Sequence, residues 1–348
     1  YLLSIYINQY PTLQRNSIYV IGISAIDIST GKNYVHRVQS TQNDEKVWKD
    51  EVYRLIHYYN PSELIIHFHD NLSLNECDIS NLWSINKEKV HVNIINSNQY
   101  LKPTYQNSFL QKIFKDTNLL TPIEYLNFEN EKEITLSYIY MLQFIYEHKI
   151  ENIQNIHKPI IKENENYLLL TYNCIHQLYI IESKEHLSEQ YNSLLSVINK
   201  CNTAIGRRFC KERILYPILN PIELNKRYES IKIFQTKKDD KYIYELCRPL
   251  LMKIIDIEKL HRKISLNIIH PYEFKSLHYS YEYCDLIFLK LKNIIPEYIA
   301  KYDSIIQQLH NFKNEYSQLF DFDELEKWSL DKIESSIFKR GIYTQLDD

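Results

Sequence analysis

Two histidines and an aspartate lie close together in the segment HFHD, where His67, His69 and Asp70 carry side chains that bind metal ions. Alternate residues of a strand share one face, so the two imidazoles can reach the same ion. A zinc site needs at least three protein ligands, and no third ligand stands at a recognisable spacing. We therefore expect ordinary histidines at a strand end and no metal site in this chain.

Asp27 follows a long β-branched run, a position at which metal-dependent nucleases hold a carboxylate. Such chemistry needs further carboxylates around the same ions. The candidates are Glu63 and Asp70, at the start and the end of another predicted strand. An aspartate followed by STGK is also typical of a turn. We favour the turn, and a metal-dependent nuclease remains the alternative hypothesis.

The other reactive groups lack the sequence context that catalysis needs. Gly31 and Lys32 resemble the end of a phosphate-binding loop, but that loop requires a glycine at Ile26 and a hydroxyl residue at Asn33. The six cysteines form no C-x-x-C pair, and no G-x-S-x-G motif occurs. The sequence therefore predicts no catalytic residue, no bound cofactor and a reduced, intracellular protein.

A cluster of basic residues occupies one short predicted helix, GRRFCKERIL. Arg207, Lys211 and Arg213 are its candidate phosphate contacts. A solvated helix face has the same pattern, so both interpretations remain open. The formal net charge of -3 argues against a basic surface that dominates the whole molecule.

The composition is that of a folded protein with an unusual residue bias. The 348 residues are 44% hydrophobic and 24% charged, which predicts two domains with buried cores. Thirty tyrosines accompany only four glycines, a bias that an AT-rich genome explains more simply than a base-stacking surface does. No apolar run has the length of a membrane span. Because the chain starts at Tyr1, within an apolar run, we expect a piece of a longer protein.

Hydrophobic patterns predict a mixed sheet in the first third of the chain. Residues 17 to 28 form a β-branched run, and a turn leads back through NYVHRV as a hairpin. An amphipathic helix that ends at Asn60 precedes strands at 63 to 68 and 90 to 95. Three opening strands, a crossover helix and two further strands are the order of the RNase H-like fold.

From residue 131 onward the pattern is helical. A long apolar helix and a polar segment that includes Pro159 predict a linker over residues 131 to 162. Thr203 is placed to cap the helix that contains the basic cluster, and Asn220 opens another with a proline at its first turn. Further helices are predicted from Pro271, over residues 296 to 320 and over residues 323 to 338.

The segment from residue 194 to 231 resembles the core-domain signature of the MutS family of DNA mismatch-repair ATPases. Seven residues stand at the places of that signature: Thr203, Gly206, Arg208, Ile214, Leu215, Pro217 and Arg227. YLLSIYI, IGISAIDISTGK and NPSELIIH resemble the connector domain of the family, and DIEKLHRKISLNIIHPYEFKSL resembles its later core helices. FKRGIYTQLDD resembles the start of the clamp, with Gly341, Leu346 and Asp347 matching.

The resemblance implies the fold class α/β plus all-α, with an RNase H-like connector followed by an elongated all-helical core or lever domain. We assign residues 1–130 to the connector, 131–162 to a linking helix and linker, 163–338 to the core and 339–348 to the start of a truncated clamp. This sequence departs from the family pattern at two positions. Thr171 stands where the family often has an acidic residue that opens a core strand, and Gln177 stands where it often has asparagine. The biased composition suits the divergent branch from giant viruses and octocoral mitochondria.

The function implied by the resemblance is a mechanical relay between DNA binding and an ATPase domain outside this chain. Thr203, Gly206 and Arg208 are then the structural junction residues between connector and levers. The parent protein would use ATP and Mg, bind double-stranded DNA, form a dimer, contact a MutL-like partner and have no membrane partner. A viral interaction protein without a DNA role is a third, weaker hypothesis.

Overall fold

The computed structural model describes residues 1–11, 17–40, 47–69, 76–83, 85–93, 98–162, 167–168, 170–182, 192–343 and 345. The chain divides by its internal contacts into two compact units. The first unit comprises Tyr1–Ser196 with Ile214–Pro217, and the second comprises Val197–Arg213 with Ile218–Asp348.

A six-stranded mixed sheet lies at the centre of the first unit. Its strands are β1 (Leu2–Pro11), β2 (Ser17–Ile26), β3 (Asn33–Gln39), β4 (Glu63–Phe68), β5 (Val90–Val92) and β6 (Ile160–Lys162), in the order β5-β4-β1-β2-β3-β6. Strands β1, β2 and β3 are antiparallel neighbours, whereas β4 pairs in parallel with β1, β5 with β4 and β6 with β3. The predicted hairpin and the order of the RNase H-like fold are therefore confirmed.

The helices connect and cover these strands and then make up most of the second unit. In chain order they are α1 (Val47–Tyr59), α2 (Glu76–Trp83), α3 (Pro103–Ile113), α4 (Pro122–Leu126), α5 (Lys132–His148), α6 (Tyr172–Gln177), α7 (Leu194–Ile198), α8 (Ala204–Leu215), α9 (Pro221–Phe234), α10 (Ile243–Leu251), α11 (Ile257–Ser265), α12 (Pro271–Ile294), α13 (Pro296–Ala300), α14 (Asp303–Ser317) and α15 (Phe322–Leu325). Among the described residues, none of these helices is both long and apolar enough to span a membrane.

The two faces of the sheet carry separate hydrophobic cores. Because side chains alternate along a strand, Leu3 and Ile5 of β1 join the core under α1, whereas Leu2 and Tyr6 join the core under α5. The apolar residues predicted to line α1 are buried, as are those predicted to line α5. Burial on both faces explains why β1 and the second half of β2 are almost continuously apolar.

Helix α5 approaches β2 so closely that one strand position has no room for a side chain. A Cβ atom on Gly22 would lie 2.0 Å from the backbone oxygen of Glu133. The Glu133 carboxylate accepts hydrogen bonds from Asn8 Nδ2 at 3.0 Å and from the Tyr10 hydroxyl at 2.6 Å. Because these contacts fix the helix on the sheet, the segment predicted as a linking helix is a packed layer of the first unit.

Two buried histidines of the sheet are held neutral. Burial lowers the pKa of His36 to about 3 and the pKa of His67 to about 4. His36 Nε2 lies 2.7 Å from the Tyr59 hydroxyl. The ring of His67 stacks on Tyr140 with centroids 3.8 Å apart, and within the described part of the chain its Nε2 has no hydrogen-bond partner. Protonation of either ring would place a charge in an apolar core.

We predict that His67 makes the protein less stable in acid. The His67 ring takes up a proton near pH 6.5 in the unfolded chain and only near pH 4 in the folded chain. The contribution of the neutral ring to the free energy of unfolding is therefore fully present above about pH 6.5, and it is lost as the pH falls from about 6.5 to 4. Linkage gives a loss of about 2 kcal/mol between pH 7 and 4.5 from this residue. His67→Phe keeps the stacking and should reduce the acid loss by that amount in urea titrations. An unchanged pH dependence in the variant would contradict the assignment.

The second unit is organised around α12, its 24-residue helix. Ile243, Leu291 and Ile299 form one small core near the carboxyl end of α12, and Leu277, Tyr281 and Tyr316 form another nearer its start. A polar cluster joins α12 to α14 between these cores, where Lys313 Nζ contacts Glu282 Oε1 at 2.5 Å and also contacts Asp285. Leu260 of α11 also joins the core near the start of α12, so α12 supports one helix of the site described below.

Two predictions about the second unit are wrong in detail. Residues 296 to 320 form the two helices α13 and α14, separated by a turn at Lys301 and Tyr302. Residues 323 to 338 are helical only in α15, because the following chain turns back and Phe320 pairs with Phe338 in an antiparallel bridge. The predicted helical character of the unit is confirmed, with one short hairpin of two-residue strands, β7 (Lys237–Lys238) and β8 (Lys241–Tyr242), between its helices.

The boundary between the compact units also falls later than the predicted linker. The first unit extends to Ser196 because α5 packs on β1 and β2, and because β6 pairs with β3. Contacts within one chain define compactness and not family domains, so the assignments 1–130, 131–162, 163–338 and 339–348 stay predictions. Leu346 and Asp347 lie outside the described residues.

Candidate junction site

The start of α8 is built around the hydroxyl of Thr203. Gly206 donates its backbone N–H to Thr203 Oγ1 at 3.0 Å, and Arg207 donates its own to the Thr203 carbonyl at 3.1 Å. A threonine side chain that accepts from the third residue of a helix satisfies one of the four N–H groups that the helix itself leaves unpaired. Thr203 therefore caps α8, as its sequence position predicts.

A glycine is required at position 206 because the cap leaves no room there for a side chain. A Cβ atom at this position would lie 2.9 Å from Thr203 Oγ1 and 3.2 Å from the Cβ of Cys201. An alanine would therefore displace the hydroxyl that forms the cap. Thr203 and Gly206 act together, because Gly206 has no side chain and so leaves room for the hydrogen bond that its own N–H donates to the Thr203 hydroxyl.

Loss of the cap should be measurable in the second unit. Thr203→Ala removes the only side-chain acceptor that the described residues offer to Gly206 N, so we expect a loss of about 1 kcal/mol of unfolding free energy. Thr203→Ser keeps the hydroxyl and should recover most of that loss. Hydrogen exchange at the first amides of α8 should rise in the alanine variant and not in the serine variant. Equal behaviour of the two variants would show that the hydroxyl has no capping role.

Arg208 ties α8 to the start of α11. Its Nη1 donates to Asp256 Oδ2 at 2.8 Å and its Nη2 to Asp256 Oδ1 at 2.8 Å, which is a bidentate pair. Nη2 also donates to Glu258 Oε2 at 2.5 Å. The Arg208 side chain is 33% exposed and that of Asp256 18%, so the pair is shielded from water on most sides.

The electrostatics of the pair favour both charged forms. The hydrogen bonds from Arg208 hold the pKa of Asp256 below its usual value, and those carboxylates raise the pKa of Arg208. Asp256 immediately precedes α11 and Glu258 lies in its first turn, where negative charge is also favoured by the helix dipole.

The three candidate phosphate contacts do not form one surface. With about 100° per residue, Arg207 and Lys211 lie on one side of α8, and Arg213 lies about 120° to 160° away from them. Arg207 Nη1 donates to the carbonyl of Asn202 at 3.4 Å, and the Arg213 guanidinium stacks on the Phe209 ring at 4.1 Å. Both arginines are exposed and Lys211 is half-buried. Only Arg207 and Lys211 are thus placed to meet one phosphate.

The other residues of the resemblance have structural places. Leu215 is buried in the core under α1, and the Pro217 carbonyl accepts from Leu168 N at 2.8 Å. Arg227 Nε lies 3.7 Å from Glu223 Oε1 on α9. Thr171 opens α6 as its cap, with its hydroxyl accepting from Cys174 N at 3.4 Å, and so does not open a strand. A threonine suits this position because an N-cap needs a side-chain acceptor.

The HFHD segment does not assemble a metal site among the described residues. His67 is buried against Tyr140, and His69 is half-buried with its ring centroid 6.4 Å from that of Tyr6. Asp70 lies outside the described residues. No group of three or more His, Cys, Asp or Glu side chains in the described part of the chain is arranged to hold an ion.

Asp27 is a turn residue. Its side chain accepts from the backbone N–H and the hydroxyl of Ser29 at 2.9 and 2.6 Å, and its carbonyl accepts from Gly31 N at 2.7 Å. Glu63 is aligned with Leu2, which is in turn aligned with Ile26, so two strand spacings of about 4.8 Å separate Glu63 from the end of β2. Nothing in this geometry supports the nuclease alternative.

Asp256 and Glu258 are the site residues that the sequence reasoning missed. Their only signal is acidic character at the start of a helix that is amphipathic from Ile257 onward. That pattern indicates a helix start and gives no partner. Only the fold shows that the guanidinium of Arg208, 48 residues earlier, meets them.

Comparisons with known proteins agree along the whole chain. Residues 173–343 match the family described as MutS domain III. A MutS homologue of Acanthamoeba polyphaga mimivirus, named as a DNA mismatch repair protein, is 30% identical over 100% of this chain and 33% of its own length. The DNA mismatch repair protein MutS of Caldanaerobacter subterraneus is 25% identical over 94% of this chain and 34% of its own length.

The mitochondrial DNA mismatch repair protein MutS homologue of Sarcophyton glaucum is 26% identical over 93% of this chain and 34% of its own length. The chain therefore spans about a third of the length of these curated relatives. A viral and a mitochondrial homologue are among them, as the biased composition suggested. Family match, mixed sheet and helical second unit lead to one conclusion: this chain belongs to the MutS family of DNA mismatch repair proteins, of which it carries a part that includes domain III.

Proposed function

We propose that this chain relays conformational change between DNA binding and ATP hydrolysis within a longer MutS-type protein. The observation that supports the proposal is the junction site, in which Thr203 and Gly206 form the cap of α8 and Arg208 joins α8 to the start of α11. All three residues stand at positions of the resemblance to the family signature. A relay needs rigid connections between elements, and a shielded bidentate ion pair between two helix starts is such a connection. Coupling then arises if DNA and ATP prefer different arrangements of these elements.

The described residues supply no group for bond chemistry in this role. ATP and Mg would bind the parent protein outside this chain, and double-stranded DNA would be a ligand of the parent. We extend the proposal to a dimeric parent with a MutL-like partner, on the strength of family membership. The chain would contribute the connector over residues 1–130, the linking segment over 131–162, the core or levers over 163–338 and the first residues of a clamp over 339–348.

The test uses the full-length protein that contains this chain. Arg208→Ala should leave DNA affinity and basal ATP hydrolysis close to the wild-type values, and it should reduce the stimulation of ATP hydrolysis by DNA several-fold. The pair of changes Arg208→Asp and Asp256→Arg restores opposite charges and should recover part of the stimulation. Arg248→Ala removes an exposed arginine of α10, outside the junction site and the candidate phosphate contacts, and is the matched control that should retain the full stimulation.

The proposal fails if Arg208→Ala abolishes folding of the parent, or if stimulation is unchanged while hydrogen exchange shows that the α8–α11 connection is lost. For the 348-residue chain alone we expect no ATP hydrolysis and weak, salt-sensitive DNA binding. Robust turnover by the purified chain would contradict the relay assignment, since it would require an active centre here.

A further inference from the structure

Two free thiols, those of Cys201 and Cys210, meet over Gly206. The Sγ of Cys201 lies 3.6 Å from the point that a Cβ of Gly206 would occupy, and the Cβ of Cys201 lies 3.2 Å from it. Cys210 is four residues after Gly206 in α8, and side chains four residues apart are neighbours on a helix, with the later one leaning back toward the earlier. The missing side chain of Gly206 therefore provides the space in which the two sulfurs meet.

The two thiols are close enough to influence each other. Burial raises the pKa of the Cys210 thiol, and the neighbouring Cys201 thiol raises it further. Both cysteines are reduced and half-buried, so small oxidants and reductants can reach them. Two oxidisable thiols that lie close together, nine residues apart in the chain and on either side of a helix cap, are placed to form a reversible disulfide.

We propose that Cys201 and Cys210 form a reversible intramolecular disulfide when the protein meets a peroxide. The Cys201 thiolate attacks one peroxide oxygen, which gives a sulfenic acid and releases water. The Cys210 thiolate then attacks the Cys201 sulfur, the S–S bond forms, and the departing hydroxide takes up a proton as a second water. Two thiols are oxidised and one peroxide is reduced, and a dithiol reverses the step by exchange.

The order of attack follows from the surroundings of the two sulfurs. Burial and the neighbouring sulfur raise the pKa of the Cys210 thiol, which lowers its thiolate fraction and slows its direct reaction with peroxide. We therefore assign the first attack to Cys201 and the resolving attack to the thiolate fraction that Cys210 retains. The disulfide would tie the segment before α8 to the second turn of the helix, across the Thr203 cap. This inference stands on the thiol pair alone and does not depend on the proposed relay.

The test treats the purified 348-residue chain with graded hydrogen peroxide, blocks remaining thiols with iodoacetamide and digests with trypsin. Cleavage after Lys200, Arg207, Arg208 and Lys211 gives one peptide with Cys201 and another with Cys210. The expected product is peptide 201–207 joined to peptide 209–211, at the sum of their masses less two hydrogens. Dithiothreitol should return both peptides to the alkylated form.

Cys284, also half-buried, is the matched control and should remain alkylated at the peroxide concentration that joins Cys201 to Cys210. In Cys210→Ser the joined peptide should disappear, and dimedone should trap a sulfenic acid at Cys201. Cys210→Ser is checked for unchanged melting, so that a lost product reports chemistry and not misfolding. Three outcomes overturn the proposal: both thiols stay alkylated while exposed Cys77 oxidises, Cys201 advances to the sulfinic acid, or the cysteines form only bonds between chains.

Discussion

Gly22→Ala is expected to lower the unfolding free energy of the first unit by about 3 kcal/mol, the upper range for overpacking a core. The added methyl group would lie 2.0 Å from the backbone oxygen of Glu133, and backbone of a packed helix cannot rotate out of the way as a side chain can. Relief requires α5 to move off β2. That movement also stretches the hydrogen bonds from Asn8 and Tyr10 to the Glu133 carboxylate.

The measurement is urea unfolding followed by tryptophan fluorescence in a Trp328→Phe background. The remaining tryptophans, Trp48 and Trp83, are buried in the core of the first unit and report its unfolding alone. Gly341→Ala is the control: its φ of +86° strains an alanine, but the described residues place no atom within 4 Å of the new methyl group, its chain neighbours aside. That control belongs to the second unit and should leave the tryptophan transition unchanged. An alanine at Gly22 that cost less than about 1 kcal/mol would show that α5 is not tightly packed here.

The second large loss of unfolding free energy is expected when either member of the Arg208–Asp256 ion pair is replaced by alanine. Arg208→Ala leaves two carboxylates without their common guanidinium, and Asp256→Ala leaves the guanidinium with Glu258 alone. Hydrogen bonds to charged groups contribute about 1.5 to 3 kcal/mol to stability. Because Arg208 is partly exposed, we expect each single variant to lose about 2 kcal/mol of unfolding free energy. The double variant should cost less than the sum of the two.

A double-mutant cycle on unfolding of the second unit, read by hydrogen exchange of α8 and α11, measures the coupling. Arg208→Lys keeps the charge but loses the two-pronged geometry, so it should recover less than half of the loss. Acid should weaken the pair as well: the pKa of Asp256 is lowered in the folded protein, so its contribution is present above about pH 4 and is lost as the pH falls further. Additive costs would mean that the two side chains act independently.

Local patterns in the sequence were sufficient to predict the sheet and many helix starts. The hairpin of β2 and β3 follows from a β-branched run and a turn, and Thr203 and Asn220 are caps because hydroxyl and amide side chains at helix starts accept backbone hydrogen bonds. The predictions that failed concern segments whose structure depends on tertiary contacts. A helix over residues 323 to 338 satisfies the local pattern, but pairing of Phe320 with Phe338 favours a turned-back chain.

The candidate site shows the same division between local and distant information. Family signature residues led to Thr203, Gly206 and Arg208, whereas the sequence analysis groups Arg213 with Arg207 and Lys211, and the separation of Arg213 follows from its place on α8. The partners of Arg208 could not be deduced, since an acidic residue at a helix start is explained equally well by the helix dipole. Likewise, the sequence predicts a linking helix at α5, because it shows the apolar face of the helix but does not show that this face covers the sheet.

The two outer strands of the sheet have a consequence for solubility at high concentration. Strands β5 and β6 are three residues long, whereas β1 and β2 between them are ten residues long. A short edge strand offers few unpaired N–H and C=O groups to a strand from another molecule. Pairing of these edges between molecules is therefore weak. Variants that lengthen β6 with β-branched residues should therefore aggregate at lower protein concentration than the natural sequence.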